Sequence, residues 1–269
     1  MVEDSKGKYV KVNSLNMYYE DTGNGPPLVL IHGGIATVSM NWAPSIPKFS
    51  EHFRVIALDS RGHGKTNNPS GEFSFRLMAD DTVALIKELN LEKPILFGWS
   101  DGGQIVLEIG MHYPGLAKAL IAGGVLAEIS EHYSDFMKLI GVNGPGDVDF
   151  DKFQKTYAEF AEAVIDLHSS VYGADYFEKV LFVNISKMWA NPEGFPGDKL
   201  SKIEDPTLVL QGDRDEAIPL EDSVRIYRLI PNAELAIVPN ADHGAVISQA
   251  DRFADVVIEY SKRLNSETR

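Results

Sequence analysis

A serine stands between closely spaced glycines in the hexapeptide GWSDGG, residues 98–103. Glycines two residues to either side of Ser100 are typical of a sharp turn from a strand into a helix, where larger residues would collide with adjacent backbone. The turn presents the serine hydroxyl, but this hydroxyl is a weak nucleophile near pH 7 without a base that a carboxylate orients. Ser100 is therefore a candidate nucleophile if the chain supplies both partners.

A candidate acid and a candidate base follow later in the chain. The segment GDRDEAIP, residues 212–219, contains Asp213, Asp215 and Glu216, and the segment NADHG contains His243. Each segment comes directly after an apolar run, so we expect both at the end of a strand. The order of serine, acid and histidine at such positions favours nucleophilic catalysis by serine.

Apolar runs alternate with helical patterns along most of the chain. Two short strands are predicted first, at residues 9–12 and 17–20. Continuously apolar runs, typical of strands buried on both faces of a parallel sheet, then occur at residues 28–34, 54–59, 94–99, 118–124, 207–213 and 234–239. This alternation predicts an α/β fold with a doubly wound, mostly parallel sheet.

One interval interrupts the alternation. Between residues 128 and 202 the pattern is helical, with no convincing buried strand. We predict a helical insertion here, over the strand ends where open α/β sheets bind ligands. Most of its large apolar residues are expected to form the insertion's own core, and a minority to face a pocket. These residues are Tyr133, Phe136, Met137, Tyr172, Phe177, Met188, Trp189 and Phe195.

The composition narrows the class of protein. The 269 residues include 25 Lys and Arg against 39 Asp and Glu, and the resulting net charge of −14 disfavours a nucleic-acid partner. No apolar run is long enough to span a membrane, and the first residues lack the apolar core of a signal peptide. Cysteine is absent, and neither nucleotide-binding glycine motifs nor metal-ligand spacings occur. We expect a cytoplasmic protein without a metal or organic cofactor, and the sequence leaves its oligomeric state open.

Five motifs in matching order resemble those of the α/β-hydrolase superfamily. They are HGG at residues 32–34, DSRGHGKT at 59–66 with Thr66 in place of the usual serine, GWSDGG, GDRD, and the DHG that contains His243. The resemblance covers nearly the whole chain. It implies the α/β-hydrolase fold, a doubly wound, mostly parallel sheet with an inserted helical cap. On this basis the hydrolase core comprises residues 1–127 and 203–269, and the cap comprises residues 128–202.

The same resemblance implies roles for individual residues. Asp215 is the expected orienting acid, Asp213 is the next candidate in the same segment, and Glu216 is expected to face solvent. Glu128 is the candidate if the acid instead follows the preceding strand. The backbone N–H groups of Asp101 and Gly34 are expected to stabilise an oxyanion. Ile35 is the next candidate for this second donor if the register of the loop differs by one residue.

Other side chains near these motifs have two interpretations each. Trp99 and Ile35 are possible substrate contacts, although Trp99 is equally suited to packing. The carboxylate of Asp101 either interacts with the N–H groups and dipole of its helix or favours substrates that carry an amine. The second interpretation rests on the resemblance of GWSDGG to the elbow of amino-acid-ester hydrolases.

The other histidines are interpreted as supports. His32 is expected to brace the oxyanion loop, and His63 to brace a turn. A structural role is predicted for His52, His112, His132 and His168.

Together, the residues and the resemblance predict a serine hydrolase that cleaves a small-molecule ester or lactone. An acyl-enzyme would form on Ser100, with His243 as general base and Asp215 as orienting acid. A carbon–carbon bond hydrolase and a cofactor-free perhydrolase stay open, since they share these residues and differ in the cap. The alternative in which the protein is not an enzyme is a ligand-sensing receptor that uses a hydrolase fold, because fold alone does not establish activity.

Overall fold

The computed structural model describes residues 7–266, and its elements follow the predicted alternation. All eight predicted strands are present, although the strand predicted at residues 28–34 ends at Ile31 and leaves the following glycines in a loop. The strands are β1 (Lys8–Val12), β2 (Leu15–Thr22), β3 (Pro27–Ile31), β4 (Arg54–Leu58), β5 (Ile95–Trp99), β6 (Ala119–Gly123), β7 (Val142–Gly144), β8 (Asp147–Val148), β9 (Thr207–Gly212) and β10 (Ala233–Val238).

Helices separate most of the strands. They are α1 (Val38–Asn41), α2 (Ile46–Ser50), α3 (Phe75–Glu88), α4 (Asp101–His112), α5 (Glu131–Leu139), α6 (Phe150–Thr156), α7 (Ala158–Tyr172), α8 (Val183–Trp189), α9 (Leu220–Leu229), α10 (Ala245–Ser248) and α11 (Ala250–Ser266). A π-helical segment, Phe177–Phe182, precedes α8, and the 3-10 segments Pro192–Gly194 and Gly197–Lys202 follow it. Between residues 7 and 266, no helix combines the length and the apolar character needed to cross a membrane.

The main sheet is mostly parallel and has the strand order β1-β2-β4-β3-β5-β6-β9-β10. Only the pairs β1–β2 and β2–β4 in this sheet are antiparallel, and the other five pairs are parallel. Parallel strands end at the same edge of a sheet, so the loops after β3, β5, β9 and β10 converge there. These loops carry the predicted site residues.

Helices cover both faces of the sheet, which explains the continuously apolar strands. In β3, Leu28 and Leu30 pack in one buried cluster with side chains of α2 and α11. Val29 and Ile31 point the other way and pack in a second cluster with side chains of α3 and α4. Because successive side chains of a strand face opposite sides, a strand covered on both faces needs apolar residues throughout.

The interval between β6 and β9 is mainly helical, as predicted, but it also contains the hairpin β7–β8. The hairpin turn carries Pro145 between Gly144 and Gly146, and Gly146 has a positive φ of 77°. Glycine and proline at this spacing are signals of a tight turn, which the sequence analysis did not use. We retain residues 128–202 as the proposed cap.

Candidate active site

Ser100 lies at the sharp turn between β5 and α4, with φ and ψ angles of 57° and −121°. This backbone conformation is strained for a residue with a Cβ atom. A Cβ on Gly98 would lie 1.9 Å from the carbonyl oxygen of Gly102, and one on Gly102 would lie 2.1 Å from that of Ile31. The close approach of three backbone segments therefore requires glycine at both positions, as the sequence pattern predicted.

The structure brings Ser100, His243 and Asp215 together. The Nε2 atom of His243 lies 3.1 Å from the Ser100 Oγ atom, and its Nδ1 atom lies 2.8 Å from Asp215 Oδ2. Asp215 is held in place because its other oxygen, Oδ1, accepts hydrogen bonds from the N–H groups of Ala217 and Ile218. With Nδ1 donating to the carboxylate, Nε2 is left to accept the proton of the serine hydroxyl.

The other candidate acids lie elsewhere. Asp213 accepts a hydrogen bond from the N–H of Ala241. Glu128 forms an ion pair with Arg225, and the exposed Glu216 contacts the backbone N–H of His243 rather than its ring. Asp215 is thus the candidate acid whose carboxylate contacts the imidazole of His243.

Asp215 also controls the protonation of the histidine. Burial by itself would lower the pKa of His243, but the charge and hydrogen bond of Asp215, together with the charges of Glu216 and Asp101, outweigh burial and raise the pKa above its ordinary value. A base with a raised pKa accepts the serine proton more readily, provided that it is neutral at the working pH.

Two backbone N–H groups next to Ser100 are free to bind an oxyanion. In the loop after β3, Gly33 donates to the Oδ1 atom of Asn41 at 2.9 Å, and Ile35 donates to the Nε2 atom of His63 at 3.3 Å. Within residues 7–266, the N–H of Gly34 between them has no acceptor, and neither has that of Asp101 at the start of α4. This geometry favours Gly34 over Ile35 as the second donor.

Two side chains to which the sequence analysis assigned no role hold this loop in place. Asn41 accepts the N–H of Gly33, as described above, and the Oδ1 atom of Asp59 accepts the N–H of Val38 at 2.8 Å. Asp59 begins the recognised DSRGHGKT motif, so the motif gave a signal for it. Asn41 stands in no motif, and its contact depends on the loop's three-dimensional path.

A cavity of about 390 Å³ opens above Ser100. Trp99 and Ile35, the predicted substrate contacts, both line it. Trp99 also donates from its indole nitrogen to the backbone oxygen of His243 at 3.0 Å, so it supports the histidine loop as well. The lining includes four of the eight large apolar residues noted in the predicted insertion, Tyr133, Phe136, Met137 and Trp189.

The cavity wall is acidic where it is charged. Asp101, Glu216 and Asp242 contribute to the lining, which contains no lysine or arginine among the described residues. The buried carboxyl group of Asp101 accepts from the Trp189 indole N–H at 2.8 and 3.0 Å, instead of from its own helix. Burial raises the pKa of Asp101 to about 7, although Trp189 and His243 act in the opposite direction.

Metal-ligating side chains do not cluster in the described part of the chain. Between residues 7 and 266, no group of three or more His, Cys, Asp or Glu side chains is arranged to hold a metal ion.

The chain belongs to the alpha/beta hydrolase family, whose model matches residues 28–256. It is 27% identical over 271 residues to 2-hydroxy-6-oxo-6-(2'-aminophenyl)hexa-2,4-dienoic acid hydrolase of Metapseudomonas resinovorans, with 97% of this chain and 93% of that protein covered. It is also 27% identical to the serine hydrolase BPHL of Homo sapiens, over 91% of this chain and 82% of that protein.

Solved structures show the same fold. A meta-cleavage product hydrolase from Pseudomonas fluorescens superposes with a TM-score of 0.77 at 22% identity, covering 98% of both chains. Relatives that carry different names thus share one scaffold, so the choice of reaction has to be argued from the site of this chain.

Replacing the acid tests the proposed role of Asp215. Asp215→Asn should lower kcat about 10³- to 10⁴-fold, because the amide no longer stabilises the imidazolium. His243 must be neutral to accept a proton, and loss of the Asp215 carboxylate removes the largest influence that raises the pKa of His243, so this pKa should fall. In a plot of kcat/KM against pH, the fall at low pH reports the protonation of His243. For p-nitrophenyl butyrate hydrolysis between about pH 5 and 9, this acidic limb should therefore lie at lower pH in Asp215→Asn than in the wild type.

Asp213→Asn is the matched control for this experiment. Asp213 lies in the same loop but contacts the backbone of Ala241 instead of the imidazole, so its loss should leave the acidic limb in place. If the acidic limb of the pH profile of Asp215→Asn stays at the wild-type pH, that result would contradict the proposed role of Asp215 as the acid that orients His243.

Proposed function

We propose that the protein is a serine hydrolase that cleaves a carboxylic ester or lactone. The observation that carries this proposal is the hydrogen-bonded series Ser100, His243 and Asp215 beneath a largely apolar cavity. A serine with a positioned base and two free N–H donors has the parts that acyl transfer needs.

The first half of the reaction forms an acyl-enzyme. His243 takes the hydroxyl proton as the Ser100 oxygen attacks the substrate carbonyl carbon. The carbonyl oxygen becomes an oxyanion, which the N–H groups of Gly34 and Asp101 stabilise. As the tetrahedral intermediate collapses, the C–O bond to the alcohol breaks and His243 gives its proton to the departing oxygen.

The second half releases the acid. His243 takes a proton from a water molecule, and the resulting hydroxide attacks the acyl carbon. A second tetrahedral oxyanion occupies the same two donors, and its collapse returns the proton to the Ser100 oxygen. Throughout, Asp215 keeps the imidazole oriented and stabilises its positive charge.

The cavity favours substrates that are small and not anionic. Its volume of about 390 Å³ lies toward the lower end of the range usual for ligand pockets, roughly 300–1,000 Å³. Its lining carries no lysine or arginine among the described residues, so a carboxylate on the substrate would find no compensating cation. Short or medium acyl chains are the expected acyl groups.

A carbon–carbon bond hydrolase is the second candidate function. It is supported by the similarity, over nearly the whole chain, to a relative named as a hydrolase of a dienoic acid. The same serine and histidine could serve such a reaction. The acidic lining disfavours it, because a dienoic acid is an anion near neutral pH.

Steady-state release of p-nitrophenol from acetate, butyrate and octanoate esters tests the main proposal. Wild-type protein should turn over repeatedly and prefer the two shorter chains, and Ser100→Ala should lose at least about 10³-fold in kcat/KM. The exposed Ser248, in the helix after the His243 loop, offers the control Ser248→Ala, which should behave as wild type.

Two outcomes would contradict the ester proposal. Faster Ser100-dependent cleavage of a 2-hydroxy-6-oxo-dienoate than of any ester would favour the carbon–carbon hydrolase. A single acylation event without further turnover, followed by stabilisation of the protein by the ligand, would favour a sensor.

We further propose that Asp101 selects esters with an amine close to the carbonyl. A Cβ on Gly34 would lie 2.6 Å from the Oδ2 atom of Asp101, so the carboxylate stands beside the proposed oxyanion donor. An ammonium group on the carbon next to the substrate carbonyl would be near this carboxylate. The Trp189 indole already donates to both oxygens, but a carboxylate has about four acceptor positions.

The ratio of kcat/KM for alanine benzyl ester to that for benzyl propionate tests this selectivity. Asp101→Asn keeps an oxygen for the Trp189 N–H but removes the charge, so the ratio should fall about tenfold or more. Glu216→Gln changes an exposed acid of the same cavity and serves as control. An unchanged ratio in Asp101→Asn would show that Asp101 does not recognise the amine.

A further inference from the structure

The turn at residues 59–66 lies between the oxyanion loop, defined here as residues 33–38, and the proposed cap. On the loop side, three side-chain contacts join the turn to the oxyanion loop and its neighbour His32. They are Asp59 Oδ1 with the Val38 N–H at 2.8 Å, His63 Nε2 with the Ile35 N–H at 3.3 Å, and His32 Nε2 with the Ser60 N–H at 2.9 Å. The turn thus constrains the conformation of the loop.

On the other side, residues of the proposed cap hold the same turn. The Nε2 atom of His168, in α7, accepts the N–H of Gly64 at 3.2 Å. At the end of α7, the hydroxyl of Tyr172 donates to the backbone oxygen of Thr66. The hydroxyl of Tyr176 donates to the backbone oxygen of Gly62 at 2.9 Å. Among these three bonds, the partner of His168 is a backbone N–H, a group that needs an acceptor when it is buried.

His168 is fixed as an acceptor in a fully buried position. Its Nδ1 atom donates to the carbonyl oxygen of Val164, one helical turn earlier, at 2.7 Å. This bond leaves Nε2 without a proton and able to accept. Burial also lowers the pKa of His168 to about 4, so the ring is neutral near neutral pH.

Gly64 connects His168 to the residues that contact the oxyanion loop. It has a positive φ of 50°, and a Cβ there would lie 2.2 Å from Asp59 Oδ2. That oxygen accepts the N–H of Lys65 at 2.9 Å, while the other oxygen of Asp59 holds Val38. The imidazole of His63 also packs between those of His32 and His168, with ring centroids 5.1 and 6.1 Å away. A displacement of Gly64 would therefore move Asp59 and His63 together.

We propose that His168 is a positioning residue that holds the oxyanion loop in its active conformation through Gly64, Asp59 and His63. Docking of the cap on the turn is then a condition for placing the Gly34 N–H opposite Ser100. The catalytic consequence rests on the proposed function, whereas the coupling between His168 and the loop does not.

Three variants distinguish a role of His168 in positioning the oxyanion loop from a role in only holding the proposed cap against the turn. His168→Phe keeps an aromatic ring beside His63 but leaves the Gly64 N–H without an acceptor. His168→Gln offers an amide oxygen as a substitute acceptor. Tyr172→Phe is the matched control, because it removes a hydrogen bond between the same helix and the same turn but not the link to Gly64.

Two measurements are made on each variant, below its melting temperature. Hydrogen exchange of the amides in residues 33–38 should become at least about tenfold faster in His168→Phe, with little change in Tyr172→Phe and partial recovery in His168→Gln. In ester hydrolysis, kcat should fall about 10- to 100-fold in His168→Phe while KM stays within about threefold, since only oxyanion binding is impaired.

The outcomes distinguish the two proposals. Unchanged exchange in residues 33–38 of His168→Phe, or equal effects of His168→Phe and Tyr172→Phe, would overturn the positioning role. If exchange in residues 33–38 is faster in His168→Phe but the wild type shows no Ser100-dependent turnover, the coupling between His168 and the loop is upheld. The proposed function is then refuted instead.

Discussion

The strained turn at Ser100 is the constraint on which the rest of the site depends. Its backbone conformation brings β5, α4 and the end of β3 so close together that Gly98 and Gly102 have no room for a side chain. Ser100 directly follows β5 and therefore lies at the edge of the sheet where the parallel strands end. The oxyanion loop, the acid and the histidine can reach it only because the loops after β3, β9 and β10 end at that edge.

Sequence patterns predicted the parts of the site that depend on strand ends. Ser100 and Asp215 each follow a strand that is buried along its whole length, and His243 follows the partly exposed edge strand β10. All three strands are parallel, so the convergence of these residues followed from the topology of the sheet. Contacts that depend on loop conformation were not predictable in this way. Asn41 supports the Gly33 N–H from outside any motif. The sequence predicts a structural role for His168, and no periodic pattern shows that this side chain of α7 reaches Gly64.

The region between β6 and β9 was the least predictable part of the fold and is the part that shapes the cavity. Its helical periodicity identified the helices, but periodicity does not show which apolar side chains face inward. Trp189 illustrates the difficulty, since it resembles an ordinary core residue in sequence but hydrogen-bonds with Asp101, the residue after Ser100. The lining of the cavity therefore includes a pairing between distant segments that the order of residues along the chain does not reveal.

The most direct test of the account is covalent labelling of the protein with a fluorophosphonate, followed by peptide mass spectrometry. The account predicts one adduct, on the peptide that contains Ser100, because among the serines of residues 7–266 Ser100 is the one with a base and oxyanion donors placed for attack. The adduct should be absent in Ser100→Ala and form far more slowly in His243→Ala. A folded wild-type protein that remains unlabelled, or an adduct that persists in Ser100→Ala, would contradict the claim that Ser100 is an activated nucleophile.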